Sequence, residues 1–260
     1  MTALESVALV AVGAAGGLIS TVASIASIVS YPALLAFGLP PLSANMTNTV
    51  ALLFTGAGAA AGSRPELAGQ GVRVRRLGPV VAVGGGAGAA LLLVTPPGTF
   101  ERVAPALIGA ASLALLVPRP RGRGAGEREA ARPPGGMPGG HRRAALLACL
   151  FGGAMYIGYF GAAGGILLLA VLTAIIAEPL ARTNAVKNVL NGLANGVAAV
   201  AFAVLGQVDW AVVPPLAAGF LIGGWTGPAL VRRLPGRVMR AGVALCGLGV
   251  AVKLGVSAYR

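Results

Sequence analysis

The sequence predicts an all-α integral membrane protein made of two inverted repeats, each a broken or re-entrant helical segment followed by three transmembrane helices. Three features of its 260 residues carry this reading. First, 56% of the residues are hydrophobic and only 10% charged, too apolar for a soluble domain of this length. Charge is also segregated: Val7–Gly62 holds no Asp, Glu, Lys or Arg, and a span needs only about 20 apolar residues. Second, the chain repeats itself. A shift of 139 residues carries Pro40 onto Pro179, Asn45 onto Asn184, Val50 onto Val189, Gly84, Gly85 and Gly88 onto Gly223, Gly224 and Gly227, and Pro96 onto Pro235. Third, arginines alternate between the halves. The loop at Gly62–Arg76 carries Arg64, Arg73, Arg75 and Arg76, while its counterpart Leu205–Val212 has only Asp209; the next loop, Thr95–Arg102, has Arg102 and Glu101 against Arg232, Arg233, Arg237 and Arg240. If basic loops are cytoplasmic, equivalent loops lie on opposite sides and the halves are inverted.

In chain order, Leu4–Phe37 is one long apolar run, read as two short helices or a span plus a re-entrant piece. Ser20, Ser24 and Ser27 recur at helical spacing, and Ser30-Tyr31-Pro32 is expected to break the helix, because proline removes a donor and constrains its predecessor. The serines either line a site or serve close helix packing. A turn at Gly38–Ser43 leads to spans near Ala44–Ala61, Leu77–Val94 and Val103–Val117. This first repeat, 1–117, is followed by a Gly-, Pro- and Arg-rich linker, 118–143, too polar to fold alone and expected in the cytoplasm with both termini outside. The second repeat, 144–260, has a glycine cluster, Gly161, Gly164 and Gly165, where the first has serines. Interrupted apolar segments in matching places of two halves are the best sequence pointer to a transporter's binding site.

Polar residues follow those interruptions. Asn45 and Asn48 come after the first, and Asn184, Asn188, Asn191 and Asn195 after the second at i, i+4, i+7 and i+11, one face of a helix. Lys187 lies at the edge of that stripe. Turned to lipid, such a stripe would leave several polar groups unpaired at a few kcal/mol each. One asparagine would suit interhelical hydrogen bonding; four with a lysine favour a polar pathway. Lys187, about 8 Å along the helix from Arg182, either meets an anion or snorkels to the surface.

What is missing narrows the function. All seven acidic residues sit at segment ends or in loops, so the chain lacks the intramembrane carboxylate relay common in proton pumps. No carboxylate pair, HExxH motif or nucleophile triad suggests an enzyme. Cys149 and Cys246 have no metal-ligand or disulfide spacing, and His141 sits in the linker, so no metal or cofactor is expected. The net charge of +13 comes from arginines in short loops, the positive-inside bias, and does not point to nucleic acid. The remaining inventory of Ser, Thr and Asn side chains, one lysine and the free N–H groups of broken helices suits a small oxyanion.

The segments GLPPLSANMTNTVAL, TNAVKNVLNGLANGVAAVAF, GQVDW and GGWTG, in this order around a broken helix, resemble the TauE/SafE sulfite exporter family over nearly the whole chain except the linker. The resemblance implies a multi-pass transporter of the cytoplasmic membrane for sulfite, a sulfonate or thiosulfate. SIASIVSYP stands where the first half of that family usually has glycines, which leaves the choice of anion open. The expected substrate-binding set is Ser24, Ser27, Asn45, Asn48, Gly161, Gly164, Gly165, Asn184, Lys187, Asn188 and Asn191, in a protein whose default assembly is a homodimer. The competing reading is a membrane accessory protein whose polar stripe only joins helices.

Overall fold

A computed structural model describes residues 2–23, 26–116, 140–161, 164–176 and 178–231. They form ten helices: α1 (Ala3–Ala23), α2 (Ala26–Ala36), α3 (Pro41–Gly62), α4 (Arg64–Leu67), α5 (Gly71–Val94), α6 (Pro97–Leu116), α7 (Gly140–Tyr159), α8 (Gly164–Ile175), α9 (Leu180–Leu205) and α10 (Val213–Val231). Stretches within α1, α5 and α9 are long and apolar enough to cross a membrane, and α2, α7 and α8 hold shorter apolar helices. Val83, Leu91, Val94, Leu167, Val200, Val204 and Trp225 are exposed, an outer apolar band that a bilayer would cover and water would not.

The shift of 139 residues also brings the helices into register: α2, α3 and α5 fall on α8, α9 and α10, and α1 on α7, with matching ends within four residues. Local chemistry sets some of these limits. Pro40 and Pro179 precede α3 and α9 with nearly the same backbone (φ −56° and −51°). Their carbonyls accept the equivalent N–H groups of Ala44 (2.8 Å) and Thr183 (3.1 Å). Proline's fixed φ thus starts the same helix twice.

Packing follows the same exchange. α1 lies on α10, and its counterpart α7 lies on α5; α3 packs against α10, and α9 against α5, while α3 and α9 cross each other. The repeated glycines form these contacts. A Cβ on Gly85 would stand 2.7 Å from the Ala194 carbonyl oxygen, and one on Gly224 2.7 Å from that of Thr55, the residue equivalent to Ala194. Gly84 and Gly223 likewise admit the backbones of α7 and α1. Without a hydrophobic driving force between helices in lipid, such close backbone approach is the main source of packing energy. Two apolar cores result. One gathers Tyr31, Phe100, Phe160, Phe202 and Phe220; the other, around α5, α7, α8 and α9, gathers Leu77, Val81, Leu150, Ile157 and Leu190.

Several expectations need correction. Ser30-Tyr31-Pro32 does not end a helix: α2 runs through Pro32. Proline is tolerated there because a membrane helix can recover the freed carbonyl through neighbours. Within Leu4–Phe37 the described helices are α1, to Ala23, and α2, from Ala26. Gly62–Arg76 is not one loop, since α4 and the first turns of α5 occupy most of it, and Thr95–Arg102 is mostly the start of α6. In both places charged residues sit on helix ends. The last residues of the linker, 140–143, already belong to α7. Ser24, most of the linker, the arginines from Arg232 to Arg240 and Cys246 lie outside the described residues.

Candidate functional site

The site is built where the end of α7 meets α2 and α9. α7 ends at Tyr159, where the N–H groups of Phe160 and Gly161 both reach the Tyr156 carbonyl oxygen at 3.0 and 3.2 Å. Gly161 has φ +75°, a left-handed conformation that a residue with a side chain adopts only at a cost. A Cβ there would lie 3.7 Å from Ser27 Oγ on α2 and 3.9 Å from Asn195 Oδ1 on α9. The same junction is closed by aromatic contact: Phe160 meets Tyr31 edge-on at 5.6 Å between ring centroids. Phe100 of α6 lies against both Phe160 and Tyr159.

α3 and α9 link the two interruptions crosswise. On α3, the Asn45 amide donates to the carbonyl of Tyr159, the last residue of α7 (3.0 Å). One turn on, Asn48 accepts the Ser30 hydroxyl at 2.6 Å and donates to Ser27 Oγ at 3.2 Å, both on α2. On α9, Asn184 donates to the Thr21 carbonyl near the end of α1 (3.1 Å). Asn45 and Asn184 are equivalent under the shift, and each holds a terminal carbonyl of the other half's first helix. Asn195 donates to the Asn191 carbonyl (2.9 Å) and leaves its own Oδ1 buried without a partner beside Gly161. From Asn184 to Asn195 the stripe therefore runs about 16 Å, from the α1 end to the α7 end.

Two further groups give the stripe its chemical character. The Lys187 side chain is 1% exposed, so it does not snorkel to the surface. It occupies the position equivalent to Asn48, whose amide ties down the two α2 serines; the α8 residues equivalent to those serines are Ile166 and Leu169. Asn188 is buried, and its amide nitrogen has no hydrogen-bond partner. An unused buried donor ordinarily costs about 1–3 kcal/mol. The half bearing Lys187 and Asn188 is thus richer in donors than the half bearing Asn48 and Thr49.

Among the residues named from the sequence, Ser27, Asn45, Asn48 and Gly161 come together at the junction, and Asn184 stands at the far end. Gly164 and Gly165 are buried at the start of α8, and Gly164 also serves packing: a Cβ there would lie 2.4 Å from Ile157 Cγ1. Asn191 is half-buried and contributes its carbonyl. Ser30 and Asn195 were not in the expected set. Ser30 follows Ser27 by one helical turn, a signal masked by the proline two residues later; Asn195 completes the asparagine stripe.

Both ends of α9 are tied to the first half. Before it, Glu178 accepts Arg73 of α5 at 2.8 Å and Arg182 at 3.2 Å. The hydrogen bond from Arg73, joined by that from Arg182 and by the positive charge of both, holds the Glu178 carboxyl below the usual carboxylate range. After it, the N–H groups of Gln207 and Asp209 reach Met46 Sδ and Thr47 Oγ1 on α3. No cluster of three or more His, Cys, Asp or Glu that could hold a metal occurs among the described residues.

A family model described as Sulfite exporter TauE/SafE matches residues 9–254, nearly the whole chain. No curated protein and no solved structure matches it.

Proposed function

We propose, from the premise that this chain belongs to the sulfite exporter TauE/SafE family, that it carries a small sulfur oxyanion across the cytoplasmic membrane by alternating access. Members of this family are membrane transporters, not enzymes. The observation that carries the proposal is the meeting of Ser27 on α2, Gly161 at the α7 end and Asn195 on α9, with Lys187 and Asn188 buried on the same α9 segment. An oxyanion asks for donors and positive charge in a dry setting. Lys187, the Asn188 amide and the N-terminal end of α8 offer such donors and positive charge.

In this reading the two halves are inverted repeats that rock about the α3–α9 crossing. The backbone-to-backbone approach of Gly56 to Gly192 supports a pivot there, since a Cβ on Gly56 would stand 2.9 Å from the Gly192 Cα. Rigid-body rocking of one repeat against the other is how such architectures expose one site alternately to each side. Cysteines placed at Gly206 and Gly236 should then react from opposite sides of the membrane; labelling from one side would rule out inversion.

One observation favours the accessory-protein reading. The amides of Asn45, Asn48 and Asn184 all bond to neighbouring helices, which is what helix cement does. The readings separate in proteoliposomes. A transporter gives saturable sulfite flux absent from protein-free vesicles, and an accessory protein gives none.

A further inference from the structure

Away from the helix junctions, α5, α7 and the end of α8 form an open cavity of about 70 Å³, lined by Arg76, Leu77, Val80, Arg143, Leu146, Leu147 and Ile175. Its lining is ordered by polarity along both helices. Arg76 stands one turn before Val80 on α5, and Arg143 one turn before Leu146 and Leu147 on α7. Two guanidinium groups therefore stand over an apolar slot. Both arginines are exposed, whereas Arg73 and Arg182 nearby are engaged by Glu178.

We infer that this cavity is a binding site for an anionic phospholipid, with the phosphate between Arg76 and Arg143 and an acyl chain along Leu77, Val80, Leu146, Leu147 and Ile175. Charge complementarity decides the headgroup, because two arginines with no carboxylate in the lining favour a net negative partner over a zwitterion. Guanidinium also matches phosphate oxygens in a fork geometry that a general cationic surface lacks. The apolar slot selects a lipid over a free anion, which would leave that wall unfilled. A molecule seated here would bridge the first half, through α5, to the second half, through α7 and α8. Anionic lipid would then favour the arrangement in which those helices stay packed, and membrane composition would set the activity of the carrier.

The test is native mass spectrometry of the full chain released from nanodiscs holding equal phosphatidylglycerol and phosphatidylcholine. Retained phosphatidylglycerol should exceed phosphatidylcholine by on the order of ten- to thirtyfold, the worth of two arginines at a membrane surface. The double variant Arg76→Gln/Arg143→Gln should remove the preference, while Arg75→Gln, which removes a neighbouring charge outside the cavity, should keep it. Leu146→Trp, which fills the slot without altering charge, should reduce retention. Millimolar inorganic phosphate should not displace the lipid. Equal retention of the two lipids, the same loss in Arg75→Gln, retention unaffected by Leu146→Trp, or displacement by phosphate would each overturn the inference.

Discussion

Alanine at Gly85 and at Gly224 should destabilise the protein to the same extent, because the two glycines perform one task in two repeats. At Gly85 the new methyl would meet the Ala194 carbonyl oxygen at 2.7 Å and Cα at 2.9 Å; at Gly224 it would meet the Thr55 oxygen at 2.7 Å and Cα at 3.2 Å. Ordinary contact begins at 3.4 Å, so each helix pair must part by about 0.7 Å at a point where both sides are backbone and no rotamer can give way. Overpacking of this kind costs about 1–3 kcal/mol. Helix propensity returns about 0.5–1 kcal/mol of it. The net loss is then up to about 2.5 kcal/mol, or up to roughly 10 °C in Tm for a chain of this size. Gly152→Ala, which meets nothing within 4 Å, isolates the propensity gain and should raise Tm slightly. The assay is thermal unfolding of the three purified variants at one detergent concentration. Alanine tolerated at both sites, or losses differing by more than about 2 kcal/mol, would refute the equivalence of the two helix contacts.

Asn188→Leu should leave stability equal or higher, since it removes an unpartnered buried amide, yet cut sulfite flux about tenfold or more; equal flux in a well-folded variant removes Asn188 from the pathway. Lys187→Gln should raise the half-saturation for sulfite roughly ten- to a hundredfold, the worth of a charge-assisted hydrogen bond, with Lys187→Arg much milder; concentration-dependent flux decides between contact and a packing role. Glu178→Gln should lower Tm at neutral pH, because it removes the carboxylate that holds Arg73 and Arg182. The folded carboxyl titrates below its ordinary value of 4.5, so its contribution is complete above that value and fades as pH falls through the lowered one. The gap between wild type and variant should therefore close in acid; a gap that widens below pH 4.5 contradicts the assignment.

The repeat was legible because it rests on residues with few alternatives. Pro40 and Pro179 are pre-set for the start of a helix, and Gly84, Gly85 and Gly88 recur intact as Gly223, Gly224 and Gly227. The burial of the polar stripe was legible in part. Buried asparagines are costly enough in lipid that their stripe had to face inward, but no spacing shows that Asn45 reaches Tyr159, since that bond joins residues far apart in sequence. Ser30 was hidden by a rule about proline that holds in water and is relaxed among packed membrane helices. The early turns of α5 and α6 were hidden by charge. Arg73, Arg75 and Arg76 lie on a helix whose first turns extend past its apolar stretch, where long basic side chains are at home. Lys187 was undecided in the sequence because depth along a helix does not say which way a side chain is enclosed; its burial now argues against the surface.

The central claim is that one polar junction, among α2, α9 and the end of α7, serves both sides of the membrane in turn and holds the anion. It is tested most directly by placing a single cysteine at Ser27 in a protein with Cys149 and Cys246 replaced by serine. The rate of its reaction with a membrane-impermeant thiol reagent, added from either face of oriented vesicles, is then measured with and without sulfite. Alternating access predicts labelling from both faces, each slowed by sulfite. Labelling from one face alone, or rates that sulfite leaves unchanged, would contradict it.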